Sequence, residues 1–243
     1  IVPITLPLWM LALAVAFAVI FVKEIFGGTG MNIFNVALAA RAFLFFCYPG
    51  SMTGGKIWAA TNQICGLGYT LPDGFTMATP LGEVAQGASV NASVCDMVLG
   101  LIPGSVGETS VIAIAIGAII LIWTNIASWK TMLSVFVGGI VMALIFHSTG
   151  ASPLQWYEHI VLGGFCFGAV FMATDPVTSA RTEQGKWIYG FLIGAMAVII
   201  RVLNRGYPEG MMLAILFGNM CAPLIDYCVV QSNINKRAKR AKM

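Results

Sequence analysis

Charged side chains are scarce in this sequence: 9% of 243 residues, with 13 Lys and Arg against 10 Asp and Glu. A soluble domain carries about a quarter. A large water-soluble core is therefore a poor reading of the 58% hydrophobic content. The apolar runs are long, repeated and separated by charged turns. Histidine occurs twice, and the six cysteines form no CxxC pair and no Cys/His cluster. That argues against a zinc or iron–sulfur site built by this chain alone. No G-x-G-x-x-G follows a strand-like run, so no dinucleotide-binding domain is expected. No basic segment precedes the first apolar run, so no signal peptide is visible. With Ile1 in first place, the numbering is expected to begin partway along a longer chain.

What is present is hydrophobic length. Seven apolar stretches can be marked, at 4–22, 33–48, 109–127, 132–147, 159–174, 187–203 and 211–230. Most approach the roughly 20 residues that a membrane-spanning helix needs. The second is short, contains Arg41 and follows Gly27-Gly28-Thr29-Gly30. The segment 88–102 is apolar but carries Asn91 and Asp96, which suits an interfacial helix or loop. Cys47, Cys166, Cys221 and Cys228 lie in or beside apolar runs and read as small core residues. Cys65 and Cys95 fall in the long polar segment. The expected fold is all-α: a polytopic transmembrane helix bundle with broken helices and a two-fold internal repeat. Glycine-led segments at 27–46 and 207–224 are compatible with that repeat. The chain divides into transmembrane helices at 1–48, an outer loop at 49–108, a helix bundle at 109–230 and a basic tail at 231–243.

Basic residues set the orientation. Lys236, Arg237, Lys239, Arg240 and Lys242 crowd the end of the chain, which the positive-inside rule assigns to the cytoplasm. Counting helices back places 49–108 outside, where Lys56 is the lone basic residue, and Lys23 and Lys130 inside. Beside a membrane exit, this basic tail suits anionic lipid or a protein partner better than nucleic acid.

The outer loop holds Asp73-Gly74-Phe75-Thr76-Met77-Ala78-Thr79-Pro80-Leu81, on composition a Gly/Pro turn of small residues. Asn32 and Asn35 follow glycines at a helix start and suit N-capping. Arg41 lies about two turns on, and intramembrane arginines are rarely idle. Glu108 is expected to open a helix on the outer face, where amide groups favour anions; capping by Glu108 and Thr109 is the alternative. Asp175 ends an apolar stretch before Pro176, with Phe167 and Phe171 on the same helical face. Hard cations prefer carboxylate oxygens, so Asp175 and Asp226 are candidate Na+ contacts, with salt bridges as the alternative. Phe167 and Phe171 form a candidate constriction, with helix packing as the alternative. His147 and His159 read as interfacial residues.

These blocks resemble one family, NqrB/RnfD: the B subunit of the Na+-translocating NADH:quinone oxidoreductase and the D subunit of the Rnf complex. The loop is similar to its D-G-[YF]-[ST]-G-A-T motif, with Met77 where the family usually has Gly. Gly27-Gly28-Thr29-Gly30-Met31-Asn32-Ile33-Phe34-Asn35 and Ala40-Arg41-Ala42-Phe43-Leu44-Phe45-Phe46 resemble G-G-T-G-x-N-x-x-N and R-A-F-L-F-F. Ile102-Pro103-Gly104-Ser105-Val106-Gly107-Glu108 resembles I-P-G-S-x-G-E. Blocks at 171–177 and 207–217 extend the likeness along the whole chain.

The resemblance implies specific chemistry. Its motif threonine, here Thr79, is joined to FMN through a phosphoester by a flavin transferase, with Asp73, Thr76 and Ala78 around it. Asn32 and Asn35 would hold a non-covalent riboflavin on the cytoplasmic side. Arg41 would favour a reduced anionic flavin or a quinone, with pairing to a carboxylate as the alternative, and Glu108 would lie near the flavin phosphate. Electrons would pass from FMN to riboflavin and quinone, coupled to Na+ export, in a bacterial inner-membrane complex with A, C, D, E and F type subunits. The NADH site would belong to another subunit. Family members carry a further N-terminal helical region. Alternatives are a D-type subunit of an ion-translocating ferredoxin:NAD+ oxidoreductase and a transporter or channel without redox chemistry.

Overall fold

The structure is a computed structural model that describes residues 2–3, 5–52, 79–85, 87, 93–105, 107–204, 206 and 209–241. Asp73, Thr76, Met77, Ala78 and Cys65 lie outside the described residues. Cys95 is an exposed free thiol.

Among the described residues the regular structure is entirely helical. Helix α1 (Leu8–Ala18) runs on as a π-helical segment, Val19–Glu24. Gly27, Gly28 and Gly30 then adopt positive φ, at 113°, 88° and 90°, a region open to glycine at little cost. They turn the chain into α2 (Val36–Cys47), followed by the short α3 (Pro49–Met52). Two short helices come next, α4 (Pro80–Ala85) and α5 (Val94–Leu99). Then come α6 (Val111–Trp123), α7 (Trp129–Ser148) and α8 (Trp156–Val161). The single turn α9 (Phe165–Phe167) continues as a π-helical segment, Gly168–Met172. Two long helices close the chain, α10 (Glu183–Leu203) and α11 (Met211–Ala241).

Among the described residues three helices, Trp129–Ser148, Glu183–Leu203 and Met211–Arg240, are long and apolar enough to cross a membrane; α2 and α6 are shorter apolar helices. The chain is a membrane helix bundle. Its outer faces are apolar: Ile116, Ile119 and Trp123 of α6 stand exposed, as lipid contact permits. The stretch 159–174, expected as one span, is two pieces. Helix α8 stops at Val161, Gly163 takes φ +67°, and the helix restarts at Phe165.

The centre of the bundle is the α7–α10 pair. It is built on small residues, the usual device where lipid removes the hydrophobic drive between helices. A Cβ on Gly194 would strike the Val135 carbonyl, and one on Gly138 would strike that of Phe191. The Ser134 hydroxyl donates to the Trp187 carbonyl across this seam. Around it are the fully buried Tyr189, Phe165, Leu38, Ile193, Met212 and Ile215. The Tyr189 hydroxyl donates to Asn219 Oδ1 at 2.8 Å. A second cluster joins α1 to α2 through Ala14, Ala18 and Leu44, with Phe17 stacked on Phe43 at 4.5 Å. Helix α11 contains Pro223 and continues without interruption through the basic residues 236–240.

Candidate functional site

Five segments converge on one pocket, lined by Thr79, Pro80, Leu81, Ile102, Pro103, Gly104, Glu108, Thr109, Gly163 and Glu209. Thr79 caps α4: its Oγ1 accepts from the Gly82 amide at 3.2 Å and its carbonyl from the Glu83 amide at 3.0 Å. Pro80 follows at the first helical position, where its missing N–H goes unused. The threonine hydroxyl is thus held at the pocket wall by backbone geometry.

Glu108 differs from its expected role. Helix α6 starts at Val111, with Ser110 as its cap, so neither Glu108 nor Thr109 caps it. Glu108 sits in the preceding turn, where its amide donates to the Ser105 carbonyl at 3.1 Å. The residue is 5% exposed. Its Oε2 and the Ser105 Oγ are both deeply buried, and a hydrogen bond from the Ser105 hydroxyl favours the ionised carboxyl. Burial raises the Glu108 carboxyl above its ordinary 4.5, and the Glu209 carboxylate raises it further, against the pull of Arg41. The carboxyl lies against Gly164, where an added Cβ would come within 2.7 Å of Oε2. Gly163 is shaped by α4: a Cβ there would meet Leu81 Cδ1 at 2.6 Å. The break between α8 and α9 therefore admits both neighbours that form the pocket.

Two arginines frame this site. Arg41, midway along α2, pairs with the Glu209 carboxylate. Arg201, near the end of α10, donates to the carbonyls of His159 at 2.5 Å, Leu162 at 3.3 Å and Glu209 at 3.4 Å. Those at 159 and 162 are carbonyls that the end of α8 leaves without a helical donor. In lipid such groups must find a partner within the protein. The sequence reading missed this role of Arg201, although an arginine inside an apolar run was a usable signal. His159 is fully buried within the protein, with Nε2 at 3.0 Å from Ser152 Oγ.

The remaining candidates lie elsewhere. Asn35 caps α2 through Oδ1, which accepts from the amides of Ala37 and Leu38 at 3.1 and 3.3 Å. Asn32 Nδ2 donates to the Phe34 carbonyl at 3.0 Å. Six residues separate Asn35 from Arg41, about 9 Å along the helix, so α2 carries the Asn pair at its start and reaches the Thr79 pocket at its middle.

Asp175 accepts from the Val177 amide at 3.1 Å and the Thr178 hydroxyl at 3.0 Å. Asp226 accepts from the Arg181 amide at 2.8 Å, and from the Thr182 amide and hydroxyl at 3.0 and 2.6 Å. Asp175 thus lies within, and Asp226 accepts from the end of, one turn, residues 173–182. The rings of Phe167 and Phe171 lie 5.0 Å apart; Gly107 faces the first and Gly117 the second. No group of three metal-ligating side chains occurs among the described residues.

The family model described as "NQR2, RnfD, RnfE family" matches residues 1–235. Curated relatives named as the B subunit of Na(+)-translocating NADH-quinone reductase share about half of their aligned residues with this chain. The Chromohalobacter salexigens protein is 51% identical over 249 residues, 99% of this chain and 58% of its own length. That of Klebsiella pneumoniae subsp. pneumoniae is 50% identical over 254 residues, 99% of this chain and 59% of its own length. That of Yersinia pestis is 49% identical over 256 residues, 100% of this chain and 59% of its own length. The chain thus spans less than two thirds of the length of these relatives.

Proposed function

The chain belongs to the NQR2, RnfD, RnfE family, and on that premise we propose that it serves as the B subunit of an Na+-translocating NADH:quinone oxidoreductase. Its part is to relay electrons from FMN on Thr79 to riboflavin and quinone, coupled to Na+ export. The observation that carries this reading is the placement of Thr79. Its hydroxyl is fixed at the N-cap of α4 and lines a pocket walled by Pro103, Gly104 and Glu108. Asp73, Thr76 and Ala78 would complete the attachment loop. A flavin held there supplies the electron-transfer chemistry that protein side chains lack.

The chain's own residues position and balance that group. Asn32 and Asn35 would hold riboflavin, because the Asn35 amide N–H groups stay available while its Oδ1 caps α2. Arg41 links that end of α2 to Glu209 in the Thr79 pocket. Asp175 and Asp226 would contact Na+ at the cytoplasmic mouth, since their carboxylate oxygens suit a hard cation. Phe167 and Phe171 would constrict the path above them. The working enzyme includes A, C, D, E and F type subunits in a bacterial inner membrane, with 49–108 periplasmic and the C-terminus cytoplasmic.

Intact mass and in-gel flavin fluorescence of the full-length protein, co-expressed with the flavin transferase, test the assignment. Wild type gains the mass of one phosphoester-linked FMN, and Thr79→Ala loses it. A fluorescent, mass-shifted Thr79→Ala variant overturns the assignment.

A further inference from the structure

Helices α7 and α10 lie side by side and run parallel. Gly190 faces Thr131, Ser134 bonds Trp187, and Gly194 faces Val135 and Gly139, so the pairings climb together. Both helices therefore start at one end of the bundle. Asp226, late in α11, accepts from the amides just before α10, so the basic residues of α11 leave at that same end. A helix as long as α7 spans about 30 Å, the depth of the hydrocarbon layer, which sets these two starts at the headgroup boundary. Beside them opens a cavity of about 420 Å3, with Lys130, Arg181, Lys186 and Glu183 in its lining. That is many times the roughly 30 Å3 share of one water. Glu183 pairs with both lysines, with Lys186 at 2.7 Å. The exposed Arg181 side chain forms no ion pair among the described residues. Asp226, outside the lining, spends its oxygens on the amides of 181 and 182 and on the Thr182 hydroxyl. Three cations against one carboxylate leave the lining two charges positive. Basic pockets between membrane helices suit anionic lipid headgroups.

We propose that this cavity binds the phosphate headgroup of an anionic phospholipid, with an acyl chain lying along α7. The surroundings select a lipid over a soluble phosphate. Trp129, Leu133, Val137 and Val141 recur every fourth residue and are all exposed, so they form one apolar stripe running from the cavity into the membrane. Trp129 and Trp187 stand edge to face, ring centres 6.0 Å apart, at the depth where interfacial tryptophans gather. Lys130 Nζ lies 5.8 Å from the Trp129 ring centre, so headgroup charge and the start of the acyl path meet at adjacent residues. Glu183 holds the two ammonium groups at the cavity wall, and the Arg181 guanidinium is left to meet the phosphate. The site needs only the membrane bundle and is independent of the flavin chemistry proposed above.

The test uses the intact complex, stripped of lipid in neutral detergent and titrated with dioleoyl phosphatidylglycerol or dioleoyl phosphatidylcholine. Native mass spectrometry counts the bound lipid. Wild type should bind phosphatidylglycerol in preference. Arg181→Gln should weaken that binding about fivefold, the scale of one basic side chain at an anionic surface, and Arg181→Lys should restore it. Glu183→Gln should tighten it, an effect that a merely damaged fold would not produce. Phosphatidylcholine should bind wild type and variants alike. Equal binding of the two lipids by wild type overturns the site, as does phosphatidylglycerol binding that neither Arg181→Gln nor Glu183→Gln alters. Displacement of the bound lipid by inorganic phosphate at equal concentration would make the occupant a soluble phosphate and overturn the lipid assignment.

Discussion

The guanidinium of Arg41 and the carboxylate of Glu209, 168 positions apart in sequence, form an ion pair that ties the middle of α2 to the start of α11. Both side chains are mostly buried, so neither charge can fall back on water.

Removing one partner of a buried pair costs about 3–5 kcal/mol, because the other is left uncompensated. Arg41→Met and Glu209→Gln should therefore each lower the thermal midpoint of the detergent-solubilised protein sharply. The double variant should lose less than the sum. Strict additivity in that cycle would show that the two side chains do not interact.

Arg201 gathers the carbonyls of His159, Leu162 and Glu209. Lysine lacks the planar fork needed to reach three acceptors at once. Each buried carbonyl left without a donor costs about 1–3 kcal/mol. Arg201→Lys should thus destabilise the protein and raise hydrogen exchange at the α8–α9 break. Unchanged exchange there would mean that the break is held by something else.

At Gly164 an added methyl meets Glu108 Oε2 at 2.7 Å. Overpacking of this kind costs about 1–3 kcal/mol. Gly164→Ala should be destabilising in the wild-type background and better tolerated in Glu108→Ser, where the carboxyl is gone. Equal penalties in the two backgrounds would refute the contact.

Glu108 also predicts a pH dependence. Its folded carboxyl is raised above the ordinary 4.5 by burial and by Glu209. The folded state therefore binds its proton more tightly than the unfolded state, and stability falls as pH rises above that value until the raised one is passed. Relative to Glu108→Gln, the wild-type melting temperature should decline over this window. A constant difference between the two would contradict the shift.

The sodium assignment has its own test. Asp175→Ala in the assembled complex should raise the Na+ concentration needed for half-maximal turnover. An unaltered sodium dependence would remove Asp175 from the ion path.

Much of this molecule was readable in one dimension. Scarce charge and long apolar runs determine a membrane helix bundle, because hydrocarbon tolerates no other backbone pairing at that length. The capping role of Asn35 was legible as well, since a cap is a contact between residues two or three apart. The glycines at 27, 28 and 30 marked a turn for the same local reason. What the sequence could not display is pairing across distance. Glu209 stood in a recognisable block without a partner, and Arg201 stood in an apolar run without a task. Glu108 read as the first residue of a helix, whereas folding buries it one turn earlier, against a glycine 56 positions along the chain. Only the tertiary structure brought α2, α4, the 100–110 turn, the α8–α9 break and the start of α11 around the Thr79 hydroxyl. Local propensity and hydropathy set which segments are helices and how deep they sit; which buried charge meets which depends on how those helices pack.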